Sequence, residues 1–599
     1  MSVEKTSKDF ADMADWMANS ASLFAKSQEI FKHFLHYSDQ HQSMITMDLP
    51  YISEAFQTYW GQLVQHPEIM QQQQLSYWQD MFSLWQQTLA GMGNTAPNFI
   101  KPEPEDRRFS HETWQQPGFQ FVLQSYLIFV KHIMAMVQDV PSLDKHIKAK
   151  VEFFTRQYLD AISPSNFIFS NPEVFQETVQ TGGKNLGNGL QNVMDDLARG
   201  KGIWSLKMTD LNAFTVGKNI AATPGKIVFQ NHLLQLIQYT PTTETVFKTP
   251  LLVLSPWINK YYNLDLRPEN SLMRFLVEQG HTVFMTSWVN PDQSLAHMNF
   301  EDYMKDGALA ALDAIEKATG EKECNVIGYC IGGTLLGATL AYMAKKQDKR
   351  VKSATYFTAL LDFSEPGDMG VFIDEQQIQN IEKRMERKGV LDGRLLAKTF
   401  NMLRSNDLIW SFYVQNYLKG KEPIPFDLLY WNSDGTNLPS AMHAFYLRNM
   451  YLNNQLIQAN AVKFYDVPLN IREISVPVYS VAAERDHIAP WQSVYKGARV
   501  HGGKVTFVLG GSGHIAGVIN PPSKAKYGYK TNDDLPDTAE AWLKDSVAHE
   551  GSWWSHWAEW IKAYAGEKIK ARAPGEGKLK IIEDAPGSYV KVKVEDINT

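Results

Sequence analysis

The chain has 599 residues, 44% hydrophobic and 21% charged, which is room for more than one globular domain of ordinary composition. A net charge of −7 leaves no basic footprint for nucleic acid, and only two cysteines exclude a disulfide framework and fit a reducing cytoplasm. Residues 1–20 are charged and lack the apolar core of a signal peptide, and without a run of about 18 apolar residues no spanning helix is expected.

Residues 1 to about 200 read as a helical N-terminal domain. Apolar positions recur at three-to-four spacing through Phe10, Met13, Leu23, Phe24, Ile30, Phe31 and Phe34, and again through Leu75, Trp78, Phe82, Trp85 and Leu89. Such faces serve either packing or a surface for a dimer, a partner or a lipid-like phase. Pro97, Pro102 and Pro104 among charges mark a linker over 94–108. Helical spacing resumes over 119–137, and a further helix over 144–162 stops at Ser163-Pro164.

From about Gly225 the pattern becomes strands alternating with helices. An antiparallel pair is predicted at 227–229 and 234–239, then strands at 251–255, 281–288, 324–328, 352–360, 476–483 and 504–509, with helices at 268–278 and 300–319. This count and order specify an α/β fold of the α/β-hydrolase type over 201–599. The gap before 476 is too long for a connection. It reads as an inserted helical cap or lid over about 366–450, rich in aromatics such as Trp410, Tyr417, Tyr430, Trp431 and Tyr446.

The most informative stretch is Gly328-Tyr329-Cys330-Ile331-Gly332-Gly333-Thr334. A strand runs into Gly-x-Cys-x-Gly and then into a helix, the nucleophile elbow of this fold with cysteine in place of serine. The helix N-terminus favours an anion at the sulfur. Sulfur also suits acyl transfer between thiols, which is nearly isoenergetic. A buried cysteine in a Gly-rich turn is the plainer alternative, and the downstream residues weigh against it. Triad members on this fold follow in the order nucleophile, acid, histidine. Asp486 follows the strand 476–483, with Glu484 as the runner-up, and His514 follows the strand 504–509 in Gly510-Gly511-Ser512-Gly513-His514. His487 reads as a supporting or surface residue rather than a general base. The oxyanion hole is expected from the backbone N–H groups of Ile331 and, in the loop Pro256-Trp257-Ile258-Asn259-Lys260, of Ile258. Lys260 reads as solvated, with a contact to an anionic phosphate as the alternative.

Beyond the elbow, the chain carries Ile258-Asn259-Lys260-Tyr261-Tyr262, Ser287-Trp288-Val289-Asn290-Pro291, Leu360-Leu361-Asp362-Phe363, Asn416-Tyr417-Leu418-Lys419-Gly420, Asp486-His487-Ile488 and Ser512-Gly513-His514-Ile515-Ala516-Gly517. With these motifs in this order, it resembles the polyhydroxyalkanoate synthases from about Asp106 onward, and the class I members in having its own helical N-terminal region. The resemblance implies polymerisation of (R)-3-hydroxyacyl-CoA, short-chain species such as 3-hydroxybutyryl-CoA included, with release of CoA. Cys330 would be acylated, His514 would be the base, and Asp486 would help to activate the 3-hydroxyl. Candidate substrate-binding positions are His487, Asn259, Arg404 and Trp431. No metal or cofactor is expected beyond the CoA thioester that carries the substrate. A homodimer at the surface of a cytoplasmic polyester granule is expected. Tyr329 stands where many relatives have Phe, and Val289 where an arginine is frequent. The rival readings are a cysteine-nucleophile thioesterase or esterase and a granule-associated structural protein on a vestigial hydrolase fold.

Overall fold

A computed structural model describes residues 49–90, 99–103, 106–200 and 204–597. The helical series through Phe10 to Phe34 lies outside them, as does part of the 94–108 linker. The chain divides into two compact units: the residues up to Asp210 together with Thr399–Pro425, and Leu211–Lys398 together with Phe426–Thr599. The boundary thus falls at Asp210, and Thr399–Pro425, inside the stretch read as cap, groups with the first unit.

In the first unit, helices α1 (Leu49–Gln65), α2 (Pro67–Ala90), α3 (Pro117–Asp139) and α4 (Lys145–Ala161) pack α1 on α4, α2 on α3 and α3 on α4. Tyr59 and Leu63 of α1 bury against Val137, Val140 and Val151. Helix α2 turns inward a face other than its apolar stripe. It docks on α3 through Leu84, through Tyr77 edge-on to Phe129, and through Gln73 and Asp80, each 2.9 Å from a ring nitrogen of His132. The stripe Leu75, Trp78, Phe82, Trp85 and Leu89 is left 44–62% exposed. Among the described residues α3 is long and apolar enough to cross a membrane by length and composition. Its buried His132 and Gln124 are bonded within the unit instead, the latter to both backbone groups of Ile100. Helix α5 (Lys184–Arg199) binds the returning segment, with Asn185 Nδ2 donating to Leu418 O (2.8 Å) and Tyr417 Oη to Asp196 Oδ2 (2.6 Å).

The second unit is built on an eleven-stranded sheet. Its strands are β1 (Gly225–Gln230), β2 (Leu234–Tyr239), β3 (Leu251–Leu254), β4 (Val283–Trp288), β5 (Cys324–Tyr329), β6 (Val351–Phe357), β7 (Val478–Ala483), β8 (Val505–Gly510), β9 (Tyr529–Thr531), β10 (Val547–His549) and β11 (Glu583–Asp584). The spatial order is β10-β9-β8-β7-β6-β5-β3-β4-β2-β1-β11. The block β4-β3-β5-β6-β7-β8 is parallel, with antiparallel strands at both flanks. Central strands are buried on both faces, which is why they read as unbroken apolar runs. Val326 of β5 faces one core and Ile327 and Tyr329 the other.

The structure refines two expected helices. The segment 268–278 begins as a 3₁₀ turn, Pro268–Asn270, and only then forms a helix, Leu272–Glu278, capped by Ser271 Oγ accepting from Arg274 N. The segment 300–319 contains a π-helical stretch, Tyr303–Leu309. There Gly307 lies so close to the Trp288 ring that a Cβ would meet it at 2.6 Å.

Candidate active site

The elbow joins β5 to helix α6 (Ile331–Lys346) at Cys330, whose φ of 52° is a conformation that costs a non-glycine residue energy. Its N–H donates to Phe357 O at 2.9 Å, pinning the turn to the end of β6. Three glycines allow the chain to fold back so tightly. A Cβ on Gly328 would lie 2.6 Å from Gly333 Cα, one on Gly333 2.4 Å from Ala359 Cβ, and one on Gly332 2.3 Å from Leu254 O. The last contact brings the end of β3, and the loop that follows it, against the elbow. Cys330 is half-buried at the start of α6, whereas Cys324 is buried in β5. Burial pushes the Cys324 thiol up to about 12, so it behaves as a small apolar residue.

His514, on the loop after β8, hydrogen-bonds Asp486, and its ring lies within electrostatic reach of the Cys330 sulfur. Its Nδ1–H donates to Asp486 Oδ2 at 2.6 Å, and both side chains are buried. Asp486 Oδ1 accepts from the N–H groups of Ile488 and Ala489, each at 2.8 Å. The carboxylate is therefore fixed by the turn that follows β7. Burial alone would push the His514 imidazolium down. The Asp486 carboxylate and the Cys330 sulfur outweigh it and hold the ring up to about 10. The Tyr329 ring stacks on His514 at 5.7 Å, and its hydroxyl lies 3.4 Å from His514 O. Glu484, the runner-up acid, is instead exposed and paired with Lys530 at 2.9 Å.

Ile331 opens α6, so its N–H has no partner one turn earlier in the helix. Among the described residues neither it nor the Ile258 N–H donates to a protein acceptor. Asn259 is left-handed, with φ of 61°. Trp431, buried on helix α7 (Asp427–Ser433), donates Nε1–H to Lys260 O at 2.6 Å, on the same loop after β3 that carries Asn259. Lys260 corrects the expectation of a solvated side chain. It is buried, with Nζ 2.7 Å from Asp434 Oδ1, while Asp434 Oδ2 accepts from Tyr262 Oη at 2.7 Å. His487 is half-buried directly after Asp486. Arg404 is not among the residues gathered here. It lies in the first unit and pairs with Asp407, three residues on.

Two residues to which the sequence reading gave no role also belong to the site. Tyr446 and Tyr451, on a π-helical segment Tyr446–Leu452, are packed edge-on at 5.3 Å, with Phe363 4.9 Å from Tyr451. Burial raises both phenols, and the neighbouring Cys330 sulfur adds to the shift. They present apolar, unionised rings beside the sulfur. The only sign of them in the sequence was the aromatic richness of the cap.

Residues 105–276 match the family described as poly-beta-hydroxybutyrate polymerase (PhaC) N-terminus, and residues 250–521 match the alpha/beta hydrolase fold. The poly(3-hydroxyalkanoate) polymerase of Methylorubrum extorquens is 48% identical over 88% of this chain and 87% of its own. The corresponding PhaC subunit of Rhizobium etli is 47% identical over 85% of this chain and 81% of its own, and that of Cupriavidus necator 41% identical over 87% and 88%. Likeness at this level, over nearly the whole of both chains and across the elbow and its partners, places the chain in the poly(3-hydroxyalkanoate) polymerase family.

Proposed function

We propose that the chain polymerises (R)-3-hydroxyacyl-CoA into polyester with release of CoA, through an acyl group carried on Cys330. The observation that supports this most is the His514–Asp486 hydrogen bond, with the ring within electrostatic reach of Cys330, at a nucleophile elbow that bears cysteine. His514 holds the thiol proton, and the thiolate attacks the thioester carbonyl. The resulting oxyanion is held by the N–H groups of Ile331 and Ile258. The tetrahedral adduct collapses, CoA leaves and takes the proton from His514 to become the free thiol, and a 3-hydroxyacyl group remains on Cys330. In elongation a 3-hydroxyl gives its proton to His514 and attacks a thioester carbonyl, forming the ester and returning a thiol. Asp486 orients His514 throughout and serves the hydroxyl step. The apolar walls at Tyr446, Tyr451 and Phe363 disfavour water, whose attack would end the chain. No cofactor enters these steps beyond the CoA carrier.

The same reading has the enzyme work as a homodimer on the surface of a cytoplasmic granule, with short-chain substrates preferred. A thioesterase with the same triad would release monomeric hydroxy acid. Incubation with 3-hydroxybutyryl-CoA and with 3-hydroxyoctanoyl-CoA, following thiol release and product size, separates the two. Polymer with stoichiometric CoA is expected, faster with the shorter substrate. Monomeric acid as the sole product would overturn the reading.

A further inference from the structure

The loop between β3 and the 3₁₀ turn Tyr261–Leu264 is tied down from the segment that follows α7. Thr436 Oγ1–H donates to Trp257 O at 2.6 Å. That carbonyl and the Ile258 N–H belong to one planar peptide and point in opposite directions. A bond that fixes the carbonyl therefore fixes the direction of the N–H. The next peptides are held as firmly, by Trp431 on Lys260 O and by the buried Lys260–Asp434 pair. Between these tethers stands Asn259 in a left-handed conformation, which asparagine adopts more readily than most residues. Two buried charges at one loop are an inefficient way to gain stability, because an apolar pair of similar volume does as well. They are better suited to holding one loop geometry against others.

We propose that Thr436, supported by the Lys260–Asp434 pair, is a positioning residue that aims the Ile258 N–H at the oxyanion formed over Cys330. The assignment rests on the proposed acylation of Cys330 and adds a group that acts through the backbone without touching substrate. It predicts a selective defect. Acylation by a thioester needs the oxyanion donors, whereas alkylation of the same sulfur by iodoacetamide forms no oxyanion and needs only the thiol and His514.

The test compares wild type, Thr436→Val, Thr436→Ser and Asp434→Asn in two reactions of the full chain: single-turnover acylation with labelled 3-hydroxybutyryl-CoA, and iodoacetamide alkylation of Cys330 across pH. For Thr436→Val the acylation rate at saturating thioester should fall about tenfold or more, given that loss of a whole oxyanion donor costs about 10²- to 10³-fold. The half-saturating concentration and the alkylation profile should stay within about twofold. Thr436→Ser, which keeps the hydroxyl, should recover most of the rate, and Asp434→Asn should fall in the same selective way. Normal acylation in Thr436→Val would overturn the proposal, and so would a parallel loss of alkylation, which marks general damage to the site. If Asp434→Asn does not fold, the nearly isosteric Thr436→Val decides alone. Wild type that is alkylated at Cys330 yet never acylated would bring down the proposed function and this inference together, whereas acylation equal in wild type and Thr436→Val brings down the inference alone.

Discussion

Asp486 meets His514 with one carboxylate oxygen at 2.6 Å and spends the other on the N–H groups of Ile488 and Ala489. Three donors fix the carboxylate before substrate arrives. Removing its charge while keeping its shape should therefore misdirect the imidazole more than it disturbs the turn. Asp486→Asn is expected to retain some single-turnover labelling of the enzyme and to lose elongation, whereas His514→Gln loses the labelling itself. Equal labelling losses in a radiolabelled thioester assay would remove the separate role given to Asp486.

The two cysteines should respond oppositely. Cys330→Ala is expected to lower CoA release by about 10⁴-fold or more, in the range seen when a catalytic nucleophile is deleted. Cys330→Ser should be severely impaired, because a hydroxyl is the poorer nucleophile in a site arranged for a thiolate. Cys324→Ala should keep near-normal turnover and cost about 1 kcal/mol of stability, since it removes a small buried group. Thiol release measured with a chromogenic disulfide reads all three, and near-normal release by Cys330→Ala would sink the mechanism.

The raised imidazolium of His514 carries a dependence of stability on pH. A group whose folded value lies above its unfolded one stabilises the native state fully below the unfolded value, about 6.5 for histidine, and loses that contribution as pH climbs toward the folded value of about 10. The gap in urea midpoint between wild type and His514→Gln should be widest near pH 6 and should close by pH 10. A gap that widens with pH would mean that the imidazole is held neutral.

Gly332→Ala tests the crowding at the elbow. The added methyl would lie 2.3 Å from Leu254 O and 2.8 Å from Ser255 O, backbone atoms that cannot rotate away. The expected cost is about 1–3 kcal/mol, the range for forcing atoms into a packed interior. Turnover should be lost as well, because the end of β3 and the loop beyond it must shift. A crystal structure or a thermal melt indistinguishable from wild type would contradict this.

On α2, Trp78 and Trp85 are 62% and 51% exposed and face away from the Leu84 side that docks on α3. Trp78→Gln together with Trp85→Gln should change folding stability by no more than about 0.5 kcal/mol, as surface substitutions do. It should weaken self-association or partition onto isolated granules. Sedimentation and granule binding both unchanged would make the stripe incidental. Cutting the chain at residue 95 is the cruder experiment, because it strips α1 from Val137 and Val151 and so damages the unit it is meant to probe.

Eight strands of the sheet could be read from the sequence because each is a short segment rich in apolar, β-branched or aromatic residues bounded by turn-forming or polar residues. The two- and three-residue strands β9, β10 and β11 were missed because alternation cannot be recognised over so few positions. The spacing of Cys330, Asp486 and His514 followed from strand order, since this fold delivers the ends of its parallel strands to one edge. Lys260 was misread because nothing near it in sequence announces Asp434, and a loop lysine is solvated by default. Tyr446, read only as one of the cap aromatics, and Tyr451 were given no place at the site for a related reason. Five positions apart, they fit neither helical nor strand spacing, and they share a neighbourhood only because the helix widens to a π turn there.

The grouping of Thr399–Pro425 with the N-terminal helices bears on how the chain is made. Asn185 and Asp196 emerge from the ribosome long before Leu418 and Tyr417, their hydrogen-bond partners. At about 5–20 residues per second the wait between Asp210 and Pro425 is roughly 10–40 s, during which β1 to β6 are also delivered. The first unit therefore cannot mature until β1 to β6 of the second have been delivered, and a nascent chain stalled before Pro425 would hold two unfinished units at once. Slow translation across that interval would lengthen the time in which apolar helix faces meet chaperones or one another.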